Sequence, residues 1–323
     1  MKQVLIGKGV RFKIPELLKD RRSALVVDQN LFSFFDEGAL PFMASEKNKN
    51  LESVEAWAEK LLHHGLDRHS VLVAAGGGTT LDTLGLLASI YMRGIPWIAV
   101  HTTLLSMADG ALGGKTAINV YSHKNLLGSF HPPESIVVDL EFLNSLSETE
   151  FANGMAEIIK HGLIRDEKFL DFLEENTAVI LLRDPTVLQK MIEWSLEIKR
   201  EIVDQDLKEK DLRKLLNYGH TFGHALEEVM DYKIPHGHAV SIGMVLMNDY
   251  TAEHFGTSQA TLDRTKKLLK KFKLPTELPR SHDIKKLREA AAGDKKRRGD
   301  AIDLVVLKEI GKAEVIPDSK FLL

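Results

Sequence analysis

The 323-residue sequence contains no cysteine. Disulfides, thiolate metal sites and cysteine nucleophiles are thereby excluded, and any metal must be held by His, Asp or Glu. Long apolar runs are missing as well. Nothing approaches the roughly 18 apolar residues of a membrane span, and the amino-terminal run Met1-Lys2-Gln3-Val4-Leu5-Ile6-Gly7 is too short for a secretory leader. The expected location is the cytoplasm, with no membrane partner. No excess of one charge exists either: 43 Lys+Arg against 46 Asp+Glu give a net of −3, which fits neither an acidic disordered chain nor a general nucleic-acid binder. Aromatic residues are sparse at 7%. The one basic stretch, Arg264 to Arg298, has fourteen Lys/Arg against Glu277, Asp283, Glu289 and Asp294. It lacks the stacking partners of a single-strand binding surface and reads as a solvated helical face.

What is present is a 44% hydrophobic composition, enough for cores in two domains of about 150 residues each. The first half alternates short β-rich runs with helical stretches: Ala24–Val27, Leu51–His64, Val71–Ala74, Leu81–Met92, Trp97–Val100 and Ile136–Val138. Continuous apolar strands alternating with helices predict a parallel sheet buried on both faces. After about Leu146 long amphipathic helices take over, until a terminal hairpin is indicated by Leu304–Leu307 and Ala313–Ile316 around Ile310-Gly311-Lys312. The expected fold class is α/β, with a Rossmann-like parallel-sheet domain over residues 1–146 and a mainly α-helical domain over 147–323.

Three segments carry chemical signals. Gly76-Gly77-Gly78 lies between a strand and a helix, where exposed N–H groups attract anions and glycine lets the backbone approach a pyrophosphate. It is not a full G-x-G-x-x-G pattern, and a tight turn without ligand competes. Asp82 either bonds a cofactor hydroxyl or simply favours the first turn of the helix. The second segment, Asp109-Gly110-Ala111-Leu112-Gly113-Gly114-Lys115-Thr116-Ala117-Ile118-Asn119 followed by His123-Lys124-Asn125, contains Gly-Lys-Thr, but Asp109 stands where a P-loop needs its first glycine. It remains a glycine-rich segment suited to phosphate or polar oxygens, or else a surface loop. The third, Gly219-His220-Thr221-Phe222-Gly223-His224 with His236-Gly237-His238, holds four of the thirteen histidines. If Arg213 to Met230 is one helix, Arg213, Asn217, His220 and His224 share a polar stripe opposite Phe222, Leu226 and Val229. Two histidines with one carboxylate make an open metal site. Glu157 is the best acidic candidate, since with Lys160 it projects away from the Phe151, Met155 and Ile158 face of its helix. An exposed Glu–Lys pair is the plainer alternative.

Taken together, Gly-Gly-Gly with Asp82, Tyr91-Met92-Arg93-Gly94, Thr102-Thr103-Leu104-Leu105, Gly113-Gly114-Lys115-Thr116, Lys124-Asn125-Leu126-Leu127-Gly128, Ala156-Glu157-Ile158-Ile159-Lys160, Leu216 to His224 and Asp294-Lys295-Lys296 resemble the 3-dehydroquinate synthase family of sugar-phosphate cyclases, in collinear order from about residue 24 to 317. The resemblance implies NAD in the first domain and one divalent metal, Zn or Co, on Glu157, His220 and His236 in the second, with the reacting groups in a cleft between them. It implies NAD contacts from Asp28, Glu46, Lys49, Gly77, Gly78, Asp82, Thr102, Thr103, Lys115, Lys124 and Phe142 to Ser145. Substrate and catalytic groups would be Asp109, Lys115, Asn125, Lys160, Lys199, Arg213, Asn217 and His224, with Arg93 reaching a neighbour's site in a homodimer.

The implied reaction turns 3-deoxy-D-arabino-heptulosonate 7-phosphate into 3-dehydroquinate and phosphate, a ring-forming step of the shikimate pathway. Transient oxidation makes phosphate elimination feasible, and re-reduction and an intramolecular aldol follow. A sister cyclase acting on sedoheptulose 7-phosphate and an NAD-dependent metal alcohol dehydrogenase are the other readings; neither involves nucleic acid. Three positions depart from the family pattern: Leu81 where Gly is usual, His101 where Pro is usual, and His238 where Glu is usual. The first bears on cofactor fit, the last on an extra metal contact.

Overall fold

The computed structural model describes residues 3–110, 112–121, 123–206, 209–279, 284–292 and 302–319. Asp294-Lys295-Lys296 and the end of the basic stretch lie outside these residues. The chain divides into two compact units, Met1–Leu146 and Ser147–Leu323.

The first unit contains β1 (Gln3–Gly7), α1 (Ile14–Leu18), β2 (Ser23–Asp28), β3 (Leu40–Phe42), α2 (Leu51–His63), β4 (Val71–Gly76), α3 (Gly78–Ile90), β5 (Trp97–His101), α4 (Leu104–Asp109), β6 (Lys115–Val120), β7 (His123–Phe130) and β8 (Ser135–Asp139). Six strands form a parallel sheet in the order β1-β8-β5-β4-β2-β3. Every residue of β4, β5 and β8 is buried. A strand with no solvent face needs no polar alternation, which is why these three read as continuous apolar runs. Phe42, Trp57, Leu61, Leu84, Leu87 and Trp97 belong to one core cluster against the sheet. From β2 the chain runs outward to β3, returns to β4 and then proceeds the other way to β5 and β8. The order therefore reverses between β2 and β4, and open α/β sheets bind ligands outside the strand carboxyl ends at such a point.

Two strands escape the periodicity reading. Strand β1 is the short amino-terminal run, held in place by pairing with β8, and β3 is only three residues long and contains Pro41. The glycine-rich segment after Asp109 is also more regular than expected. From Lys115 it forms the antiparallel hairpin β6–β7, with Ala117 opposite Gly128 and Ile118 opposite Leu127. Thr116 and Ile118 supply its buried face.

The second unit contains α5 (Glu148–Arg165), α6 (Glu167–Glu175), α7 (Thr177–Leu181), α8 (Pro185–Gln205), α9 (His220–Val229), α10 (His236–Phe255), α11 (Gln259–Lys271), α12 (Ile284–Ala292), β9 (Ile302–Glu309) and β10 (Lys312–Ser319). The last two strands form the expected hairpin, with Leu307 opposite Ala313 and Leu304 opposite Ile316. Helix α11 buries Leu262, Thr265, Leu268 and Leu269 and exposes Lys267, Lys270 and Lys271, so the part of the basic stretch on this helix is a solvated face. Among the described residues no helix is long and apolar enough to cross a membrane.

The expected single helix over Arg213–Met230 is broken. Leu212–Asn217 is a 3-10 turn, Tyr218 is extended, and Gly219 takes φ 78° before α9 starts at His220. That left-handed conformation favours glycine. The same residue lies so close to Val240 and Met244 of α10 that a Cβ would collide there. Arg213 and Asn217 therefore do not continue the His220–His224 stripe.

Candidate functional site

Helix α5 is buried from Phe151 through Ile164. Its Ser147 cap accepts from the Glu150 N–H, which places two full turns before Glu157. Glu157 is 0% exposed and Lys160 1%, so the surface-pair alternative fails. Their side chains form an ion pair along the helix. Among the described residues, neither Glu157 oxygen has a hydrogen-bond partner of normal geometry. A carboxylate buried in this way is costly unless cations face it.

Two imidazoles do face it. His220, the first residue of α9, and His236, the first residue of α10, each bring Nε2 to 3.5 Å from Glu157 Oε1. The start of α10 is pinned to α5: the Gly237 N–H donates to Asn153 Oδ1 at 2.5 Å, one helical turn before Glu157. A Cβ at Gly237 would strike the Asn153 backbone, so this approach requires glycine. His220 donates Nδ1–H to the Tyr218 carbonyl at 3.1 Å, and His236 donates Nδ1–H to Glu227 Oε2 at 3.2 Å. His224 adds a third ring, with its centroid 5.2 Å from His220 and 6.0 Å from His236.

The charges of the cluster are strongly coupled. Burial by itself would raise the Glu157 carboxyl, but Lys160 and His236 hold it well below the usual carboxylate range. Burial, reinforced by Lys160, pushes His220 well below the ordinary imidazole value and outweighs Glu157. His236 is also disfavoured as a cation by burial, yet its contacts with Glu157 and Glu227 raise it to about 10.

The geometry fits a divalent ion. Neutral His220 spends its only N–H on Tyr218, so its Nε2 lone pair and Glu157 Oε1 are two acceptors facing each other at 3.5 Å. Two ligand atoms about 2.0–2.1 Å from one tetrahedral ion stand roughly 3.4 Å apart. Glu157, His220 and His236 can bring one ligand atom each within 4.8 Å of one another, as can His224, Glu227 and His236.

Other expected residues of this unit lie on neighbouring elements. Lys199 on α8 and Arg213 on the 3-10 turn are each 3% exposed, and Asn217 is half-buried and donates to Glu209 Oε1 at 2.7 Å. Asp206, after α8, collects the N–H groups of Lys210, Asp211 and Arg213. His238 is half-buried on α10; its Nε2 has no hydrogen-bond partner among the described residues, and it belongs to neither ligand group.

The first unit assembles a second cluster at the carboxyl ends of its strands. Among the described residues, Gly77 caps α3 without any side-chain acceptor for the first-turn N–H groups, and a Cβ at Gly78 would meet nothing within 4 Å. The start of α3 is thus an open set of donors suited to an anion. Beside it the nearly buried Lys49 donates to Asp82 Oδ2 and to Asn125 Oδ1, both at 2.6 Å. Burial raises the Asp82 carboxyl despite Lys49. Glu46 accepts from Asn119 Nδ2 at 2.8 Å and from Thr79 Oγ1 at 3.3 Å, and Asn119 in turn accepts from the Asn125 N–H at 3.0 Å. Asn125, expected at the substrate, therefore sits in one network with Lys49 and Asp82, expected at the nucleotide.

The remaining expected residues divide by exposure. At the end of β2, Asp28 accepts from Asn30, and burial raises its carboxyl. Thr102 is buried, and Thr103 uses its hydroxyl to cap α4, whose last residue is the half-buried Asp109. The Phe142 side chain is fully buried against Phe34 and Phe35, which leaves Asn144 and Ser145 as the exposed members of that stretch. Lys115 is exposed and Lys124 half-buried on the β6–β7 hairpin, and Arg93 is exposed with φ 73°. Leu81 turns into the hydrophobic core rather than toward the glycine turn, and His101 is buried with Nδ1 2.5 Å from the Ser106 carbonyl oxygen.

Sequence reasoning missed Glu227, although the signal was there. Spacings of four and three put His220, His224 and Glu227 on one face of α9, so the polar stripe runs forward from His220 rather than back to Arg213. Asn119 and Asn153 carried no comparable pattern.

Comparison with known proteins gives a consistent result. Residues 39–153 match the model for the 3-dehydroquinate synthase N-terminal domain, and residues 154–297 match that for the 3-dehydroquinate synthase C-terminal domain. A 3-dehydroquinate synthase of Symbiobacterium thermophilum is 39% identical over 97% of this chain and 90% of its own. Among solved structures, a Streptomyces hygroscopicus 2-epi-5-epi-valiolone synthase with NAD+ and Zn2+ bound superposes with a TM-score of 0.91 at 27% identity, covering 99% of this chain and 94% of that one. A 2-deoxy-scyllo-inosose synthase complexed with carbaglucose-6-phosphate, NAD+ and Co2+ superposes at 0.88 with 25% identity, covering 98% and 94%.

Proposed function

The chain belongs to the 3-dehydroquinate synthase family, and we propose that it converts 3-deoxy-D-arabino-heptulosonate 7-phosphate into 3-dehydroquinate and inorganic phosphate. The observation that carries this reading is the buried Glu157 oxygen facing two imidazole Nε2 atoms at 3.5 Å. Glu157, His220 and His236 would hold a zinc or cobalt ion, and the Gly77–Gly78 turn with Glu46, Lys49, Asp82, Thr102 and Thr103 would hold NAD. When bound, the metal supplies a Lewis acid for a substrate hydroxyl, and NAD supplies a hydride acceptor that is returned to its oxidised form within each turnover.

The chain's own side chains do the rest. Lys160, Lys199 and Arg213 are three buried cations in one unit, an arrangement that favours a substrate carrying both a carboxylate and a phosphate. The guanidinium of Arg213 suits planar recognition of the carboxylate. His224, at the edge of the imidazole cluster, holds or moves a proton at a ring nitrogen during elimination and ring opening. Asn217 and Asn125 orient hydroxyls, while Lys115 and Lys124 meet phosphate oxygens and Asp109 accepts a hydroxyl proton or hydrogen bond. The exposed Arg93 is assigned to the site of a second copy in a homodimer.

Two observations separate this reading from its rivals. The 39% identity to a dehydroquinate synthase exceeds the 27% and 25% to the two other cyclases. A net dehydrogenase has no need of the buried Lys/Arg set. The test is to supply the protein with NAD, a divalent metal and each heptulose phosphate in turn. Phosphate and dehydroquinate should appear in equal amounts with no net change in NADH absorbance. Accumulating NADH, or turnover only on sedoheptulose 7-phosphate, would overturn the assignment.

A further inference from the structure

The two imidazoles of the triad present the same nitrogen to Glu157 but are backed differently. Behind His220 stands a neutral acceptor, the Tyr218 carbonyl at 3.1 Å; behind His236 stands the Glu227 carboxylate at 3.2 Å. Glu227 is itself nearly buried, 5% exposed. Its charge is therefore little screened by water. The two ligands also differ in how firmly packing holds them: the His236 side chain is 30% exposed and that of His220 11%. His236 opens α10 with no side-chain cap, and the neighbouring Gly237 N–H is already committed to Asn153. Among the described residues, the hydrogen bond that fixes the His236 ring on its far side is the one to Glu227.

We propose that Glu227 is the positioning residue of the metal triad: it holds His236 with Nδ1–H turned away from the ion and Nε2 turned toward Glu157, and its charge makes that nitrogen the stronger imidazole ligand. A carboxylate behind a ligating imidazole does both jobs, whereas a peptide carbonyl does only the first. The inference rests on the Glu157–His220–His236 reading. Glu227 can also reach a ligand group with His224 and His236, and in that arrangement it would bind the ion directly.

The experiment measures zinc affinity of metal-free protein by competition with a chromophoric chelator, and the visible spectrum of the cobalt(II) form, for Glu227→Gln, Glu227→Ala, His224→Ala and His220→Ala. Glu227→Ala should weaken zinc binding by about 10- to 100-fold. Glu227→Gln, which keeps shape and loses charge, should fall between it and the parent protein. Both should keep an intense four-coordinate cobalt band at a shifted position, and His224→Ala should bind zinc normally. Zinc affinity within twofold of the parent in Glu227→Ala overturns the proposal, as does full recovery in Glu227→Gln. So does a His224→Ala loss matching that of Glu227→Ala, which would make Glu227 a ligand. If Glu227→Ala does not fold, the Glu227→Gln affinity and spectrum decide alone. Undiminished affinity in His220→Ala would instead remove the triad reading, and so the two failures are distinguishable.

Discussion

At the start of α3 the first unit offers backbone N–H groups on an open surface, tuned by Lys49 and Asp82 at its edge, whereas around Glu157 the second unit concentrates charged side chains where water is largely absent. The first arrangement tolerates an empty site, because free donors at a helix start can be hydrated. The second does not: each buried charge is stabilised by another, and removing one leaves its partner in a medium that penalises it. The largest effects of substitution should therefore lie in the second unit, with binding and stability lost together, while the first unit should lose binding alone.

Glu157 gives the sharpest version of that contrast. Glu157→Ala leaves Lys160 buried without its ion-pair partner, which should cost about 3–5 kcal/mol of folding stability. Glu157→Gln should fold better yet fail to retain metal, and turnover should drop by more than about a thousandfold, because Lewis-acid stabilisation is worth several kcal/mol. Metal analysis and denaturant titration check both halves. Retained stoichiometric metal in Glu157→Gln would break the contrast at its strongest point.

Arg213→Ala comes next. It removes a buried cation assigned to the substrate carboxylate but no proposed metal ligand. Hydrogen bonds to charged groups are worth about 1.5–3 kcal/mol, so kcat/KM should fall about 10- to 100-fold. Metal content should stay unchanged, with most of the loss in KM. A loss confined to kcat would assign Arg213 to the chemistry instead of to capture.

In the first unit, Gly78→Ala should separate binding from stability. The added Cβ meets nothing within 4 Å in the protein itself, so Tm should hold or rise slightly. The same methyl stands where a pyrophosphate would approach the backbone, and NAD affinity should weaken about tenfold. Calorimetric titration with NAD measures it. A drop in Tm with unchanged NAD affinity would show that the turn serves packing only.

How much of this was legible in the sequence follows from the same division. The glycine turn, its flanking strand and helix, and the apolar strands β4, β5 and β8 are local features whose residue types state their own surroundings. The hairpin β6–β7 was harder to read, because glycines and lysines dominate its composition and only Thr116 and Ile118 turn inward. In the second unit, the identity of the Glu157–His220–His236 group came from resemblance to a family. No spacing relates residue 157 to residues 220 and 236, which meet only because Gly219, Gly237 and Gly243 let α5, α9 and α10 approach. The polar stripe of the sequence points in the wrong direction for a related reason. Helical periodicity does not reveal where a left-handed glycine ends the helix, so periodicity alone carries the stripe back to Arg213 instead of forward to Glu227.

The smallest effect concerns how Arg213 is held once that helix is broken. In the first unit Asp139 gathers the N–H groups of Gly9 and Arg11 together with the Arg11 guanidinium. In the second, Asp206 performs a similar task, accepting from the N–H groups of Lys210, Asp211 and Arg213 at 2.7–3.1 Å. Burial pulls the Asp206 carboxyl upward, but these three donors outweigh it and leave the carboxyl below its ordinary value. A depressed carboxylate stabilises the folded state above its unfolded pKa, about 3.9, and that contribution disappears as pH falls through the folded value. Asp206→Asn keeps the shape and removes the charge, so Tm at pH 7 should drop by roughly 2 °C. The gap between parent and variant should close in acid, where the parent carboxyl is protonated too. A gap that persists unchanged at pH 3 would mean that shape, and not charge, holds the turn carrying Arg213.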